Sequence, residues 1–165
     1  MIWLTADLHL GHANILKYCS RPFETVEQMD SVLIDNWNSV VKDEDTVWVL
    51  GDFVFNKKVD IIGKLKGIIY MVRGNHDRSH TRNKILSWGV KELHNKPLDI
   101  KLEGRLCRLM HAPVETHLNR DAVLNLCGHV HGNWKTNGLY YNVGVDVHDF
   151  KPISLGTILK ERGII

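Results

Sequence analysis

Runs of apolar residues without polar alternation mark the first half of the chain. They cover residues 1–6, 46–50 and 68–72. Such runs are typical of strands that are covered on both faces of a sheet. Between the first two runs, apolar residues recur at spacings of three and four from Val26 to Val41, which predicts an amphipathic helix. Thr25 and Gln28 match a capping box at its start, and the polar Asp30 on this helix is expected to be solvated.

The second half alternates between apolar and polar residues more often. Residues 98–102 and 105–110 alternate around Glu103 and Gly104, which predicts an antiparallel hairpin with one exposed face. Further strands are predicted over residues 90–93, 122–127 and 139–146. Helices are predicted over residues 57–66, 81–88 and 154–162. The order of elements indicates one domain over residues 1–165, with an α/β (α+β) fold in which helices lie outside a sheet core.

Composition narrows the classes of protein. The 165 residues are 44% apolar and 24% charged, the balance of an ordinary globular domain. A net charge of +2 gives no electrostatic argument for a long nucleic acid as partner, although it leaves that partner open. No apolar run is long enough for a membrane span, and no leader is recognised at the start. The three cysteines share no close spacing, so we expect reduced thiols and a cytoplasmic protein.

Polar motifs follow five of the apolar runs, at the point where each run ends. They supply eight candidate ligands: Asp7, His9, Asp52, Asn75, His76, His111, His129 and His131. A glycine directly precedes Asp52, Asn75 and His129, which predicts tight turns and close approach of the backbones. Taken singly, each motif is also compatible with an exposed polar turn. Together they offer nitrogen and oxygen but no thiolate, which suits Mn, Fe, Co, Ni or Zn more than Ca or Mg. Even seven of these eight side chains are too many for one ion with an open position. They suffice for two ions if one carboxylate bridges, an arrangement common in phosphate ester hydrolysis.

The order of these motifs resembles the calcineurin-like metallophosphoesterases. The matching pattern is D-x-H, G-D, G-N-H-D, a lone histidine and G-H-x-H, and it extends from Asp7 to His131. Within the family, the chain is similar to the small bacterial and phage phosphoesterases without a cap domain. The resemblance implies a four-layer αββα sandwich, in which two mixed sheets are flanked by helices.

The resemblance also implies a role for each matching residue. The first metal would be bound by Asp7, His9 and His131. The second metal would be bound by Asn75, His111 and His129. Asp52 would bridge the two ions. His76 would protonate the leaving oxygen, a task that suits histidine because it ordinarily titrates near neutral pH, and Asp77 would hold its ring.

The implied reaction is hydrolysis of a phosphate ester by a metal-activated hydroxide. A small phosphodiester or nucleotide-like substrate is favoured because no cap is expected, and a phosphomonoester is the alternative. A non-catalytic metal-binding scaffold of the same fold is a rival from another class of protein. That rival usually lacks several ligands, whereas this chain has all of them. The oligomeric state and the native metal are left open by the sequence.

Residues outside these motifs are candidates for the pocket wall. His12 and Asn14 follow the first ligand loop, and either a pocket or a surface position fits them. Arg73 and Arg78 flank the central motif and can contact a phosphate or remain solvated. Asn142, Asp146 and His148 are expected to be structural or to support the ligands. The chain departs from the family where Phe53, Val54 and Phe55 follow Asp52 and where Met110 precedes His111, which leaves the pocket wall and the substrate open.

Overall fold

Two five-stranded sheets form the centre of the molecule. The computed structural model describes residues 1–55 and 59–165. The helix expected over residues 57–66 lies partly outside the described residues, and a 3-10 helix is present at Val59–Lys64. The described strands are β1 (Ile2–Thr5), β2 (Thr46–Val49), β3 (Ile68–Val72), β4 (Glu92–His94), β5 (Leu98–Leu102), β6 (Arg105–Leu109), β7 (Leu124–Cys127), β8 (Thr136–Asn137), β9 (Tyr140–Asn142) and β10 (Ile153–Ser154). The described α-helices are α1 (Ile15–Tyr18), α2 (Val26–Val40), α3 (Arg82–Leu86) and α4 (Leu155–Glu161).

The first sheet has the order β10-β1-β2-β3-β4. Strands β1 to β4 are parallel, and β10 pairs antiparallel with β1. Helices α2 and α3 pack on one face of this sheet, where Met29, Leu33 and Trp37 of α2 are buried. The other face meets the second sheet. Both faces are therefore covered, which explains why the three predicted strands read as continuous apolar runs.

The second sheet has the order β5-β6-β7-β9-β8. The predicted hairpin is confirmed as β5 and β6, and both residues of its turn, Glu103 and Gly104, have positive φ, as in a type I′ turn. Strands β6, β7 and β9 are parallel, and β8 returns antiparallel to β9. Both sheets are mixed, so the predicted pair of mixed sheets with helices outside is confirmed.

A single apolar cluster joins the facing sides of the two sheets. Leu4 and Trp48 of the first sheet pack into the same cluster as Leu109 and Leu126 of the second. Helix α4 adds its own buried side chains, Leu155, Ile158 and Leu159. The outer face of β7 carries the buried Asn125, whose amide bonds both the N–H and the C=O of Asn119 and so holds the 112–123 loop against the sheet.

The start of α2 follows the sequence prediction. The Thr25 hydroxyl accepts a hydrogen bond from the Gln28 N–H at 3.1 Å. The Gln28 side chain reaches back to the N–H of Glu24, one residue before the expected partner.

The three cysteines are free, with Cys107 and Cys127 buried and Cys19 half-buried. This agrees with the expected reduced thiols, and the cytoplasmic location stays a prediction. Within the described residues, none of the helices combines the length and the apolar character that crossing a membrane requires.

Candidate metal centre

Five loops meet at one edge of the two sheets. The loops after β1 and β2 are joined by backbone hydrogen bonds from the N–H of Asp7 to Gly51 O and from the N–H of His9 to Asp52 O. The loops after β6 and β7 are joined by a bond from Gly128 N to His111 O. Because β1, β2 and β3 are parallel neighbours, the residues that follow them arrive at the same edge. The predicted motifs are thus brought together by strand order.

The seven predicted ligands form two adjacent clusters. In the first cluster, the ligand atoms of Asp7, His9 and His131 lie within 4.8 Å of one another. In the second cluster, the same holds for Asp52, His111 and His129. Asn75 belongs to the second cluster, because its Oδ1 lies 2.7 Å from His111 Nε2 and 3.0 Å from His129 Nδ1.

Asp52 lies between the two clusters. Its Oδ2 is 3.5 Å from His9 Nε2 of the first cluster and 3.4 Å from His111 Nε2 of the second. A third group of possible ligands, His9, Asp52 and His76, overlaps the first two. In that group His76 is the outlying member, with Nε2 4.0 Å from Asp52 Oδ2 and a side chain that is 41% exposed.

The donor atoms fit a divalent ion. Asp7 Oδ1 and His9 Nε2 are buried and have no hydrogen-bond partner among the described residues. A buried polar atom without a partner is costly unless an ion or water satisfies it. The set contains imidazole nitrogen, carboxylate oxygen and one amide oxygen, as the sequence predicts for a transition metal.

Outer hydrogen bonds orient two of the histidine rings. His111 Nδ1 lies 2.8 Å from the carbonyl oxygen of Leu50, and His131 Nδ1 lies 2.9 Å from Asp146 Oδ2. Both partners only accept, so Nδ1 carries the proton and Nε2 of each ring is left for a metal. This is the usual support of a histidine ligand in metalloproteins.

Burial and mutual charge set the protonation of the cluster. Burial lowers the pKa of His9 to about 2, so its ring is neutral and keeps a lone pair. Burial alone would raise the pKa of Asp52, but the hydrogen bond and charge of His111 lower it to about 2. Burial would lower the pKa of His111, yet Asp52 and Asp7 raise it to about 9. Burial raises the pKa of Asp7 to about 6. At neutral pH His111 therefore holds a proton and Asp7 is mostly ionised, and a divalent cation would displace the proton of His111.

Five of the predicted ligands have a left-handed backbone. The φ angles are 58° at Asp7, 52° at His9, 53° at Asp52, 71° at His129 and 49° at His131. Such angles are uncommon for residues other than glycine and cost about 1–3 kcal/mol each. The turns therefore point these side chains inward at the expense of backbone strain, which is a frequent feature of functional sites.

The glycines that precede three ligands allow the loops to approach closely, as predicted. A Cβ on Gly74 would overlap the carboxylate and backbone nitrogen of Asp52. A Cβ on Gly51 would come within 2.5 Å of His111 Nδ1, and one on Gly128 within 2.8 Å of Asp7 Oδ2. These distances are shorter than any van der Waals contact, so side chains at these positions would separate the ligand loops.

The role expected for Asp77 is corrected by the structure. Its carboxylate does not hold the His76 ring, because its described partners are backbone N–H groups. Asp77 Oδ2 accepts from Asp52 at 2.8 Å and from Gly74 at 2.8 Å, and Oδ1 accepts from Phe53 at 3.1 Å. Asp77 is fully buried and ties the loop after β2 to the loop after β3. It is therefore a positioning residue for Asp52.

Arg21 supports the first cluster and was not found by sequence reasoning. Its buried guanidinium donates to the carbonyl oxygens of Asp7 and Leu8 and forms two hydrogen bonds with Asp146. Asp146 in turn bonds His131, so Arg21 connects the loops of two ligands. An isolated arginine in a turn belongs to no periodic pattern or motif, and nothing in the sequence distinguishes it.

Asp30 differs from its expected solvated position. It is buried on α2, and its Oδ1 accepts a hydrogen bond from the Gly11 N–H at 2.9 Å. The helix thereby fixes the loop that follows His9. The expectation was wrong because the loop after His9 covers the polar position of Asp30 on α2. The spacing of apolar residues along the helix cannot predict that contact.

Asn142 and His148 support the loops that carry the ligands, as expected. The Asn142 amide donates to the carbonyl oxygens of His131 and Trp134 and accepts from the Gly144 N–H. His148 Nε2 lies 2.8 Å from Asn142 O.

The four candidates for substrate contact lie at different distances from the clusters. His12 is buried, shares a hydrogen bond with His9, and stacks on Phe55 with a centroid separation of 3.9 Å. Asn14 is exposed at the start of α1. Arg73 is half-buried and Arg78 is exposed, and both line a cavity beside the second cluster. Phe53 and Val54 are buried, whereas Phe55 forms part of the wall of the site through its stacking on His12.

Comparisons with known proteins agree with this geometry. The family model for calcineurin-like phosphoesterases matches residues 1–155. An uncharacterized protein of Methanocaldococcus jannaschii is 35% identical over 177 residues, covering 98% of this chain and 92% of that protein. The Gene 66 protein of Mycobacterium phage D29 is 29% identical over 185 residues, with 92% of each covered. Among solved structures, a protein of unknown function from Aquifex aeolicus has a TM-score of 0.78 at 26% identity, with 98% of each chain covered.

Proposed function

Because this chain belongs to the calcineurin-like phosphoesterase family, we propose that it hydrolyses phosphate esters with two divalent metal ions. A small phosphodiester or nucleotide-like ester is the favoured substrate. The family and the His/Asp clusters support a metal-dependent phosphoesterase. The number of ions, the class of ester and the residue roles below are the finer parts of the proposal.

One observation carries the proposal of two ions. Asp52 Oδ2 lies almost equally far from His9 Nε2, at 3.5 Å, and from His111 Nε2, at 3.4 Å. A carboxylate in that position can be shared by two ions. Asp7, His9 and His131 would hold one of them, and Asn75, His111 and His129 would hold the other. Divalent ions bound there would neutralise charge on the phosphoryl oxygens and lower the pKa of a water molecule.

The position of His76 supports its proposed role as the proton donor to the leaving group. Its backbone N–H donates to Asp52 Oδ1 at 2.9 Å, which fixes the residue at the edge of the clusters. Its side chain is 41% exposed, so an ester oxygen can reach the ring from outside. Protonating that oxygen avoids release of an alkoxide and is a task that histidine performs at neutral pH.

The alternatives differ in what they predict for activity. A phosphomonoesterase would use the same residues on a terminal phosphate. A non-catalytic scaffold of the same fold would bind metal without turnover. The scaffold is disfavoured because the predicted general acid and all seven predicted ligands are present and gathered at one edge. We propose a reducing, cytoplasmic compartment, which the free cysteines support.

A substrate screen tests the function. The protein is stripped of metal, reconstituted separately with Mn, Fe, Co, Ni or Zn, and assayed on matched phosphate mono- and diesters. With at least one metal, we expect the protein to hydrolyse diesters faster than the matched monoesters. A reversed preference would favour the phosphomonoesterase, and stoichiometric metal binding without turnover of any ester would favour the scaffold.

Metal content tests the bridging role of Asp52. Asp52→Asn removes the charge and one oxygen ligand, so we expect at least one ion per chain to be lost. Asp43→Asn, at an exposed position, is the matched control and should keep both ions. Elemental analysis after gel filtration gives the ratio. Wild-type occupancy in Asp52→Asn would show that this carboxylate does not bridge.

A further inference from the structure

A cavity of about 150 Å³ adjoins the second ligand cluster. Asn75, His111 and His129 form its inner wall, so it opens from the proposed site of ester cleavage. A water molecule needs only about 10–15 Å³ of such space. The cavity therefore has room for a phosphate or carboxylate group and part of the chain that carries it.

The charge on the outer wall of the cavity has one sign. Arg73, Arg78 and Lys96 line it, and none of its lining residues is acidic. No ion pair joins any of these three cations to an acidic residue in the described part of the chain. A cavity with cationic walls and no internal counter-charge favours an anionic occupant.

Arg73 is held in place by the fold. Its backbone N–H donates to His94 O at 2.8 Å, and one terminal guanidinium nitrogen donates to His80 O at 3.1 Å. Its Nε is buried and has no hydrogen-bond partner among the described residues. Because Nε is shielded from solvent, a carboxylate or phosphate oxygen in the cavity would bond the terminal guanidinium N–H groups of Arg73 rather than Nε.

The cavity lies away from the proposed general acid. His76 does not line it and instead packs near His9 and His12, with ring centroids 5.1 Å and 5.9 Å away. The leaving group must reach His76, so the cavity is available to the part of the substrate that stays on the phosphorus.

We propose that this cavity is an anion subsite, and that the substrate carries a second anionic group on the arm that is not released. This inference rests on the proposed function, and it narrows the substrate class to esters with a further phosphate or carboxylate. Lys96 and Arg78 are exposed and contribute attraction, while Arg73 provides the directed hydrogen bond.

Three diesters with one leaving group test the inference. Each is a p-nitrophenyl phosphate diester whose second arm is butyl, 3-carboxypropyl or 3-phosphonopropyl. The phosphonate replaces a terminal phosphate so that the end of the arm carries no ester that could be cleaved. We expect kcat/KM to be about tenfold higher for at least one anionic arm than for butyl, mainly through KM, because the contact is remote from the reacting atoms. The two anionic arms separate a carboxylate from a phosphate preference.

Single substitutions then assign the preference to the cavity. Lys96→Ala should reduce the advantage of the anionic arm by about fivefold or less, as for an exposed ion pair. Arg73→Ala should abolish it, because a charge-assisted hydrogen bond is strong enough to account for the whole difference of about tenfold. Lys96→Arg should retain the advantage. Lys84→Ala, which removes an equal charge from an exposed position outside the cavity, should leave it unchanged.

The outcomes are separable from failure of the proposed function. Absence of turnover on all three diesters would count against the phosphodiesterase itself. Turnover of the butyl ester with no advantage for either anionic arm would overturn the subsite alone. An advantage that Lys84→Ala reduces as much as Lys96→Ala does would reflect bulk charge and also overturn it. Because Lys96 is exposed, its variants test the inference even if Arg73→Ala fails to fold.

Discussion

His76 is the residue whose proposed task is chemical rather than structural. If it protonates the leaving oxygen, its importance depends on how poorly the leaving group departs without a proton. An aliphatic alcohol leaves poorly as an alkoxide, whereas nitrophenolate leaves well. General acid–base catalysis typically contributes about 10²–10⁴-fold. His76→Ala should therefore lose about that factor in kcat/KM on a diester with an alkyl leaving group and much less on a nitrophenyl ester.

The metal content of the same variant distinguishes two roles for His76. The ring also belongs to a possible ligand group with His9 and Asp52. If His76 is a general acid, the His76→Ala variant should keep both ions. The control His80→Ala, which lies outside the ligand clusters, should change neither the metal content nor the selectivity between the two esters. Equal losses on the two esters, or the loss of an ion, would make His76 a ligand or a phosphate anchor instead.

The Asp77 carboxylate accepts hydrogen bonds from backbone N–H groups of two ligand loops. An asparagine has only one accepting oxygen, so Asp77→Asn leaves at least one buried N–H of the two loops without an acceptor. Such a loss costs about 1–3 kcal/mol, and each kcal/mol lowers the Tm of a domain of this size by about 2–4 °C. We expect a lower Tm, weaker metal retention and equal loss of activity on alkyl and nitrophenyl esters.

Thermal unfolding with and without added metal checks this expectation, with Asp35→Asn on the exposed face of α2 as the control. If Asp77→Asn kept the Tm of the wild type and lost activity on alkyl esters alone, then Asp77 would act on the His76 ring after all.

At the scale of elements, the site depends on how closely the ends of β2 and β3 approach. Gly74 lies against the carboxylate and backbone of Asp52, with no room for a methyl group. Gly74→Ala should separate the two loops, reduce metal binding by at least tenfold and lower the Tm. The matched control is Gly156→Ala in α4, where the nearest atom to an added Cβ is 4.0 Å away. Alanine favours a helix over glycine by about 1 kcal/mol, so this control should be neutral or stabilising.

The metal affinities of the two variants are compared by isothermal titration calorimetry. A Gly74→Ala protein that bound metal as tightly as the wild type would mean that the loops can move apart without loss of the ligand geometry.

At the scale of the whole molecule, metal and fold are expected to be coupled. A bound metal would satisfy the unpaired buried atoms of Asp7 and His9 and would offset the cost of the left-handed backbone at five predicted ligands. An ion at 100 times its dissociation constant stabilises a protein by about 2.7 kcal/mol per site. Chelation should therefore lower the Tm by about 5–10 °C for each site emptied.

Adding Mn or Zn back should restore the Tm of the stripped protein. Calcium is the matched control and should restore little, because it prefers an all-oxygen shell. Identical unfolding curves for stripped and reconstituted protein would show that the clusters do not bind metal in solution.

The strands that carry the site and the polar residues at their ends are predictable from local sequence. Buried parallel strands have a local signature in unbroken apolar runs, and polar residues directly after such a run have few reasons to be there except function. The hairpin of β5 and β6 and the cap of α2 were equally readable, because their signals lie within a few residues. The glycines before three ligands were predicted for the same reason.

The groups that support those ligands depend on how the loops pack in three dimensions. Arg21 reaches Asp146, 125 positions away, and Asp77 bonds the loop after β2 rather than its neighbour His76. The cavity joins residues after β3, β4, β6 and β7. These contacts arise from how the loops of two sheets meet at one edge. A side chain chooses its hydrogen-bond partner by distance and direction in space, and no spacing along the chain encodes that choice.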